Sequence, residues 1–583
     1  MSDQALTRHT TLREIFSNFG LLLAPERNYY TLAIVYGIGI GVLSLAVPIS
    51  VQMLVNTIAY TGLTAPLVML SLTLFGLLLA SGLLNALRIH LMDLFGRRFY
   101  ARMVSEIAVR SVFALNPFFQ DYSKGALFNR YFDIIIVQKT VPNLLVGGFT
   151  VVLQAAVGFV LVSMYHPLFL AFNLVIILFI WVIWLVWGGR AIKSAVEVSN
   201  KKHATAAWLE GLAASNGFFK SERHIAEAFS RTDAVTAEYI DRHIAHFRHH
   251  FAQTLGFLFL YAAASAGLLG LGGWLVIQGE LSLGQLVAAE LVLSVVFFGL
   301  SQLGIYLAYF YELCAALDEL SLFYTVEQED PPEEAMPYEG GSSVAFVEAR
   351  GDARGLITTL SFAIPGGTRV LGVAEAHGVQ REVTNFLKRH IRPSGGYVTL
   401  GGNDIMDIPV HELRQQIIVL DRPNTVEMTI REYLHLSGDG ASSARILAAL
   451  DTVGLNAAIS RLEEGLDTRV AATGWPLTIT ETMQLKLAAA MIAKPRVLVL
   501  GQLFDTMTDD CLRRSLDVLQ EETPTTVLYF SSRPRELGFD HYLYLGYREQ
   551  QLFGSLGELE KRLAGANDRR QGAAGMPGTV PAG

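Results

Sequence analysis

What most constrains this chain is where it carries no charge. No Asp, Glu, Lys or Arg occurs from Asn28 to Leu87, from Thr140 to Gly189 or from His249 to Gly279, and after Glu280 the chain stays mostly apolar to about Tyr311. A helix needs about 20 apolar residues to cross a hydrocarbon core of about 30 Å. The first two blocks therefore each hold two spans, and the third with its continuation holds two more. The spans read as Tyr30 to Leu54, Ala65 to Leu87, Val141 to Tyr165, Pro167 to Trp187, Phe251 to Ile277 and Ser282 to Phe310, with Pro48 kinking the first. The 51% hydrophobic and 17% charged content fits a polytopic α-helical membrane domain and not a chain of several soluble domains.

The cations then set the topology. Eight Lys or Arg lie between Arg88 and Lys139 and nine between Arg190 and Arg248, while the three short turns of the hairpins have none. By the positive-inside rule both termini are expected in the cytoplasm. Each basic stretch, folded as two antiparallel helices, would carry the spans about 35–40 Å into the cytosol as an arm. Met1 to Arg27 carries Asp3, Arg8, Arg13, Glu14, Glu26 and Arg27 and lacks a short isolated apolar core, so it reads as retained and not as a cleaved signal. Within it, Leu12 to Leu23 has the pattern of an interfacial helix. A net charge of −8 without a dense basic cluster gives no sign of a nucleic-acid partner. Cys314 and Cys511 stand apart and imply no disulfide framework.

After Leu320 the composition changes to an acidic, Pro-containing linker and then to alternating short strands and helices, an α/β domain. Strands are expected at Val344 to Val347, Thr368 to Val373, Tyr397 to Leu400, Ile417 to Leu420, Arg496 to Leu500 and Thr526 to Phe530. The Gly366 to Gly402 stretch reads as strand, tight loop, helix and Gly-bounded strand, the layout of a phosphate-binding loop. Such a loop needs glycines for close backbone approach, a Lys for the β/γ-phosphates and a hydroxyl for Mg²⁺, spaced GxxxxGK[ST]. Here Ala374, His377 and Val379 stand where glycines belong, Gly378 lies between them, Gln380 takes the place of the Lys and Arg381 that of the hydroxyl. Glu375 and Glu382 add negative charge beside the loop, partly offset by His377 and Arg381.

Six spans in three hairpins, two basic arms and a C-terminal α/β domain together resemble an ATP-binding cassette (ABC) exporter half-transporter. The resemblance runs from Leu12 to about Leu563. FFQDYSKGALFNRYFD is similar to the first coupling loop of such exporters, with Phe119, Gly125, Leu127, Arg130 and Asp133 at its recurrent positions. IPGG, PSGGYVTLGGNDI, HELRQQIIVL and TIREYL resemble cassette segments in the family order. The resemblance implies ATP and Mg²⁺ as cofactors, a dimer in a lipid bilayer, and arms around Gly125 and Gly211 that dock the cassette. It also implies a place in the bacterial inner (plasma) membrane.

The departures fall where ATP chemistry happens. The signature LSGGQ corresponds to Leu477, Thr478, Ile479, Thr480 and Glu481, without its Ser or glycines. The metal-binding Asp and the catalytic Glu correspond to Gly501 and Gln502, the Mg²⁺-sensing Gln to Asp421 and the switch His to Ser532. Hydrolysis rests on positioning and charge stabilisation, so these losses compound and no catalytic residue is assigned. The expectation is an exporter-type transport subunit with a degenerate cassette, for an unknown lipid, peptide or protein-like substrate. It would be a homodimer, or a heterodimer with an intact half, with secretion-system components as further partners. The alternatives are a non-transporting scaffold or regulator, and an ATP-driven exporter with an unconventional nucleotide site.

The expected segments are 1–28, a cytosolic start with the interfacial helix; 29–322, the membrane domain; 323–342, a linker; 343–563, the cassette; and 564–583, a disordered tail. Glu290, an ionisable group about eight residues into the last span, is a candidate for the substrate path. Gln285 is its candidate partner. Gln154, Asn173, Gln253 and Gln302 read as helix–helix hydrogen bonds. His243, His246 and His250 share one helix face, which reads as a solvated or headgroup-facing surface and not as a metal site.

Overall fold

The computed structural model describes residues 11–60, 64–115, 126–329, 338–353, 356–375, 377–438, 442–533 and 535–564. It divides into two compact units, Met1–Glu329 and Asp330–Gly583. The expected tail lies outside the described residues apart from Ala564, as do Phe119 and Gly125.

The first unit is helical: α1 (Leu12–Leu23), α2 (Arg27–Leu43), α3 (Ala46–Tyr60), α4 (Thr64–Val112), α5 (Asp133–Asn143), α6 (Phe149–Ser163), α7 (Pro167–Ala214), α8 (Glu222–Ile277) and α9 (Leu283–Ser321). Six stretches are long and apolar enough to cross a membrane. The first is broken between α2 and α3 because Pro48 has no N–H to offer the Ser44 carbonyl, and the Leu45 N–H turns tightly onto the Val42 carbonyl at 3.2 Å. Helices α4, α7 and α8 run on without a break into the basic stretches. At 1.5 Å per residue, the 49, 48 and 56 residues of α4, α7 and α8 make rods of about 70–85 Å, much longer than a bilayer core. The arms are thus continuations of the spans. Met69, Leu72 and Leu79 on α4 are exposed, as a lipid-facing surface requires.

Polar groups inside this unit are paired across helices. Asn173 donates to the Phe159 carbonyl at 3.1 Å and to Ser163 at 3.0 Å, joining α7 to α6. Gln253 accepts from the Tyr311 hydroxyl at 2.7 Å, joining α8 to α9. Gln302 reaches only its neighbour Ser301. Gln302 thus lacks the expected helix–helix bond among the described residues, and two further positions are less exposed than the sequence implied. Arg88, taken as the first residue of a cytosolic stretch, is buried and donates to Thr150 (2.8 Å), Asn85 (2.9 Å) and the Val146 carbonyl (3.1 Å). His246 and His250 do not form a solvated face. They are half-buried, with both rings edge-on to Tyr311 and His246 hydrogen-bonded to Ser194 at 3.0 Å. Period alone put them on one face; the packing of α9 against that face removed it from water.

The described coupling-loop residues also turn inward. Leu127 is buried among α9 residues, Arg130 holds Glu319 at 2.5 Å in a buried ion pair, and buried Asp133 receives Lys202 and His203, each at 2.7 Å. These contacts tie the segment after the first arm's tip to α7 and α9. Removing one partner of a buried pair costs about 3–5 kcal/mol because the other charge is stranded, whereas replacing both with apolar groups is often neutral. Arg130→Ala and Glu319→Ala should each lower the thermal midpoint and the membrane abundance of the full-length protein. Arg130→Met with Glu319→Leu should recover most of both.

The second unit carries two main sheets and a short pair, β7 (Met428–Thr429) with β8 (Arg469–Val470). The antiparallel one has the order β2 (Leu356–Ile364), β1 (Val344–Ala353), β4 (Gly395–Leu400), β5 (Asn403–Asp404). The larger has the order β12 (Gln550–Phe553), β11 (His541–Leu545), β3 (Arg369–Ala374), β10 (Thr526–Phe530), β9 (Val497–Leu500), β6 (Ile417–Leu420), parallel except for the β11–β12 pair. β2, β11 and β12, and the two-residue β5, β7 and β8, escaped the sequence reading. Helix α10 (His377–Leu387) lies between the sheets: its Val379, Val383, Phe386 and Leu387 share one core with residues of β1, β2, β4, β9, β10 and β11.

Candidate functional site

The parallel register of β3, β10, β9 and β6 brings their carboxyl ends to one edge. Glu375 follows β3, Asp421 follows β6, Gly501 and Gln502 follow β9, and Ser531 and Ser532 follow β10. This is the edge where open α/β sheets place their ligands. The topology therefore gathers four of the five sequence-predicted groups, scattered over about 160 residues of chain, into one neighbourhood. The fifth, Leu477 to Glu481, lies at the start of a separate helix, Ile479–Ala493.

At β3 the connection to α10 is only Glu375 and Ala376, so Gly378, Val379, Gln380 and Arg381 are already helical. A looser loop was expected. The apolar positions explain the difference, because Val379 must reach the core shared with Val383 and Phe386, and only a helix beginning this early turns it inward. Gln380 is buried, and its Oε1 has no hydrogen-bond partner among the described residues. Buried Glu382 accepts from Thr358 at 3.3 Å, and burial pushes its carboxyl above the usual range.

After β9, Gly501 sits against β6. Its N–H donates to the Leu420 carbonyl at 2.9 Å, and a Cβ added there would lie 2.9 Å from the Asp421 Cα. Gln502 opens a 3₁₀ turn, Gln502–Thr506, with its side chain exposed. That turn delivers Asp505, which the sequence reading missed. Its carboxylate accepts from Ser531 (2.7 Å), from the Ser532 N–H (2.9 Å) and hydroxyl (2.6 Å), and from Tyr529. Burial alone would raise this carboxyl, but the hydrogen bonds from Ser532, Tyr529 and Ser531 outweigh burial and hold it below the ordinary range. An acid three residues past Gln502 together with a Ser pair after β10 was the available signal. Asp421 is partly exposed, with the Arg422 guanidinium 4.0 Å away.

Thr478 caps the helix at Ile479. Its hydroxyl accepts from the Glu481 N–H at 3.2 Å, and the Glu481 carboxylate accepts from the Thr478 N–H at 2.8 Å, a complete capping box. The positive end of that helix is thus met by a carboxylate of its own first turn. In the membrane unit, Glu290 accepts from Ser294 at 3.2 Å, and its Oε2 is buried without a partner among the described residues. Gln285, its expected partner, is committed instead to the Ser282 cap of α9. Among the described residues no group of three or more His, Cys, Asp or Glu is placed to hold a metal.

A six-span helical unit followed by an α/β cassette is the architecture of an ABC exporter. The family model for the ABC transporter transmembrane region matches residues 30–210. The ABC multidrug transporter mdr2 of Aspergillus fumigatus is 24% identical over 90% of this chain and 68% of its own length. YfiC of Bacillus subtilis, an uncharacterised ABC transporter ATP-binding protein, is 26% identical over 54% of this chain and 55% of itself. The leukotoxin translocation ATP-binding protein LktB of Mannheimia glucosida is 28% identical over 40% of this chain and 34% of itself. A solved bacterial Atm1-family ABC exporter with ATP bound shares the fold, with a TM-score of 0.78 at 19% identity over 92% of this chain and 97% of that one. The chain is thus similar to ABC transporters over most of its length, its membrane unit matches their transmembrane region, and its fold is that of a membrane-spanning ABC exporter.

Two expectations follow from the cassette geometry. Because the Asp505 carboxyl is depressed, its stabilisation is full above the unfolded value of about 3.9 and is lost as pH falls through the lower folded value. Asp505→Asn should cost about 1–3 kcal/mol at neutral pH and flatten the acid limb of a thermal-midpoint profile of the full-length protein. Gly501→Ala should destabilise by about 1–3 kcal/mol, read the same way, because its methyl must displace the Asp421 backbone.

Proposed function

We propose that this chain is an exporter-type transport subunit whose cassette has given up ATP chemistry, one half of a dimer in a bacterial inner membrane with both termini in the cytoplasm. The observation that carries the reading is at Gly501. The position that would present a metal-binding carboxylate is closed by backbone, since any side chain there meets the Asp421 Cα at 2.9 Å. The remaining positions agree with it. Gln380 supplies no cation, Val379 is committed to the core, Gln502 cannot ionise and Ser532 is held by Asp505. These residues do not fit a Mg²⁺–nucleotide, so no hydrolytic step is assigned to them. The dimer rests on family architecture, and the orientation on the confinement of Lys and Arg to the arms. The relatives' names point to different cargoes, a multidrug set for mdr2 and a leukotoxin for LktB.

The test is vanadate-sensitive phosphate release by the purified protein in lipid, beside an intact exporter. Wild type and Gln380→Lys should both stay at background, because residues acting as a unit are not restored one at a time. Turnover comparable to the intact exporter and abolished by Gln380→Ala would overturn the reading in favour of an unconventional site.

One observation favours a second reading, a non-transporting scaffold. In an asymmetric dimer the inactive half still lends its signature helix to the partner's nucleotide, yet here that helix end is already met by Glu481. Affinity purification from native membranes separates the two. Recovery of an intact cassette half supports the transport subunit, and recovery of this chain alone, as a homodimer, supports the scaffold.

A further inference from the structure

At the ends of the three hairpins away from the basic stretches, charged and imidazole side chains are scarce. The turn of the first hairpin, around Tyr60, Thr61 and Gly62, has no Asp, Glu, Lys, Arg or His; the second brings only His166 and the third only Glu280. These two meet, with the His166 Nε2 lying 3.1 Å from the Glu280 carboxylate. We propose that this pair is a proton-sensitive latch, which holds the second and third hairpins together at their turns while the His166 ring is neutral and releases them when the ring takes up a proton from the adjoining water.

Both partners are placed by helix ends. His166 is the N-cap of α7, with an extended backbone (φ −159°, ψ 142°) and a carbonyl that accepts from the Phe169 N–H at 3.0 Å. Pro167 follows and has no N–H, so the first donor of the helix is the Leu168 N–H, which goes to the His166 Nδ1 at 3.2 Å. Glu280 sits just past the end of α8. There the Gly279 N–H donates to the Val276 carbonyl and the Glu280 N–H to the Leu275 carbonyl, each at 3.0 Å, the paired bonds of a Schellman closure. Gly279 supplies the left-handed φ of +77° that this closure needs. Neither backbone is free to drift, so the side-chain pair joins two fixed helix ends.

The ring can make both bonds in one protonation state only. An Nδ1 that accepts carries no proton, so the single ring proton is on Nε2, facing the Glu280 carboxylate. A second proton must go to Nδ1, where it removes the acceptor of the Leu168 N–H and sets a positive charge at the positive end of α7. Charging the ring also strengthens its attraction to Glu280, but that carboxylate is 54% exposed and water screens such pairs. Loss of the cap therefore decides the direction. Imidazoles change charge between about pH 5 and 8, so the latch is complete above that range and is lost as pH falls through it. Of the other titratable groups placed near it, the Tyr165 hydroxyl donates to Gln52 of α3 at 3.0 Å, which ties the same turn to the first hairpin without a charge change in this range. Glu290, the next acid along α9, accepts from Ser294. The proposal rests on the transport-subunit reading only for placing these turns away from the cytoplasm, so that the proton sensed is the outer one.

The test is hydrogen–deuterium exchange of the full-length protein in lipid nanodiscs, with mass spectrometry of peptides carrying Leu168 and rates divided by the chemical exchange rate at each pH. Between about pH 8 and about pH 5 the wild-type Leu168 amide should lose about fivefold to tenfold of its protection, as loss of one N-cap implies. His166→Asn caps through a side-chain oxygen that takes up no proton and should stay protected throughout. Tyr165→Phe, which cuts only the bond to Gln52, should keep the wild-type loss. Glu280→Ala should lower the protection of Leu168 already at about pH 8, because the ring is then held from one side only. A flat wild-type profile, protection that rises in acid, an equal loss in His166→Asn, a Tyr165→Phe profile without the loss, or full protection at about pH 8 in Glu280→Ala would each overturn the latch. Nanodiscs bathe both faces in one buffer, so the result does not depend on which way the chain is inserted. Failure here is separate from failure of the transport-subunit reading, which is decided by partner recovery and phosphate release.

Discussion

A polar group with no partner costs several kcal/mol in hydrocarbon, and the membrane unit is arranged around that penalty. Its long helices satisfy their own backbones, and its interior polar side chains are spent on joining helix to helix. The charges at the membrane boundary obey the same rule. Arg88 is wrapped by Thr150, Asn85 and the Val146 carbonyl, and Arg102 holds Glu26 and thereby the junction of α1 with α2. Nearer the arm tips, Arg130–Glu319 and Asp133–Lys202–His203 bind three helical segments together. The satisfaction is incomplete, since one carboxylate oxygen each of Glu290 and Glu319 is buried and unanswered among the described residues.

The cassette follows the same rule with another outcome. At the carboxyl edge of a parallel sheet, loop ends and helix N-termini offer donors that a bound anion can satisfy. Here the chain satisfies many of them itself. The Ser532 N–H goes to Asp505, the first turn of the helix at Ile479 goes to Thr478 and Glu481, and the Gly501 N–H goes to the Leu420 carbonyl. On the proposed reading the fold has outlived the chemistry because its core asks only for volume and period, which Val379 and Val383 supply as well as any helix after a phosphate loop would.

Much of this was legible in the sequence. The charge-free blocks located the spans, and the 12-residue interfacial helix Leu12–Leu23 appears with the bounds its apolar pattern implied. Six strands were read from β-branched runs. β2, β5, β7, β8, β11 and β12 were missed; β5, β7 and β8 are only two residues long, and the β11–β12 hairpin turns through Gly546 to Glu549 without a tight two-residue turn signal. The positions facing the cassette edge were legible through family spacing, whereas Asp505 was not, because its role depends on three hydroxyls and an N–H reaching it from β10. The coupling-loop residues were legible only as a family pattern; that Leu127, Arg130 and Asp133 are buried against α7 and α9 is a matter of packing.

By itself the sequence determined that this chain lives in a membrane, crosses it six times and carries an α/β domain, because charge exclusion from hydrocarbon and the periods of helix and strand are local properties readable along one dimension. Tertiary structure alone decided which groups meet: that a Cβ at Gly501 would strike Asp421, that Arg88 is buried, and that His246 and His250 pack against Tyr311. Those are distances between residues tens to hundreds of positions apart. Packing sets them, and no local pattern records them.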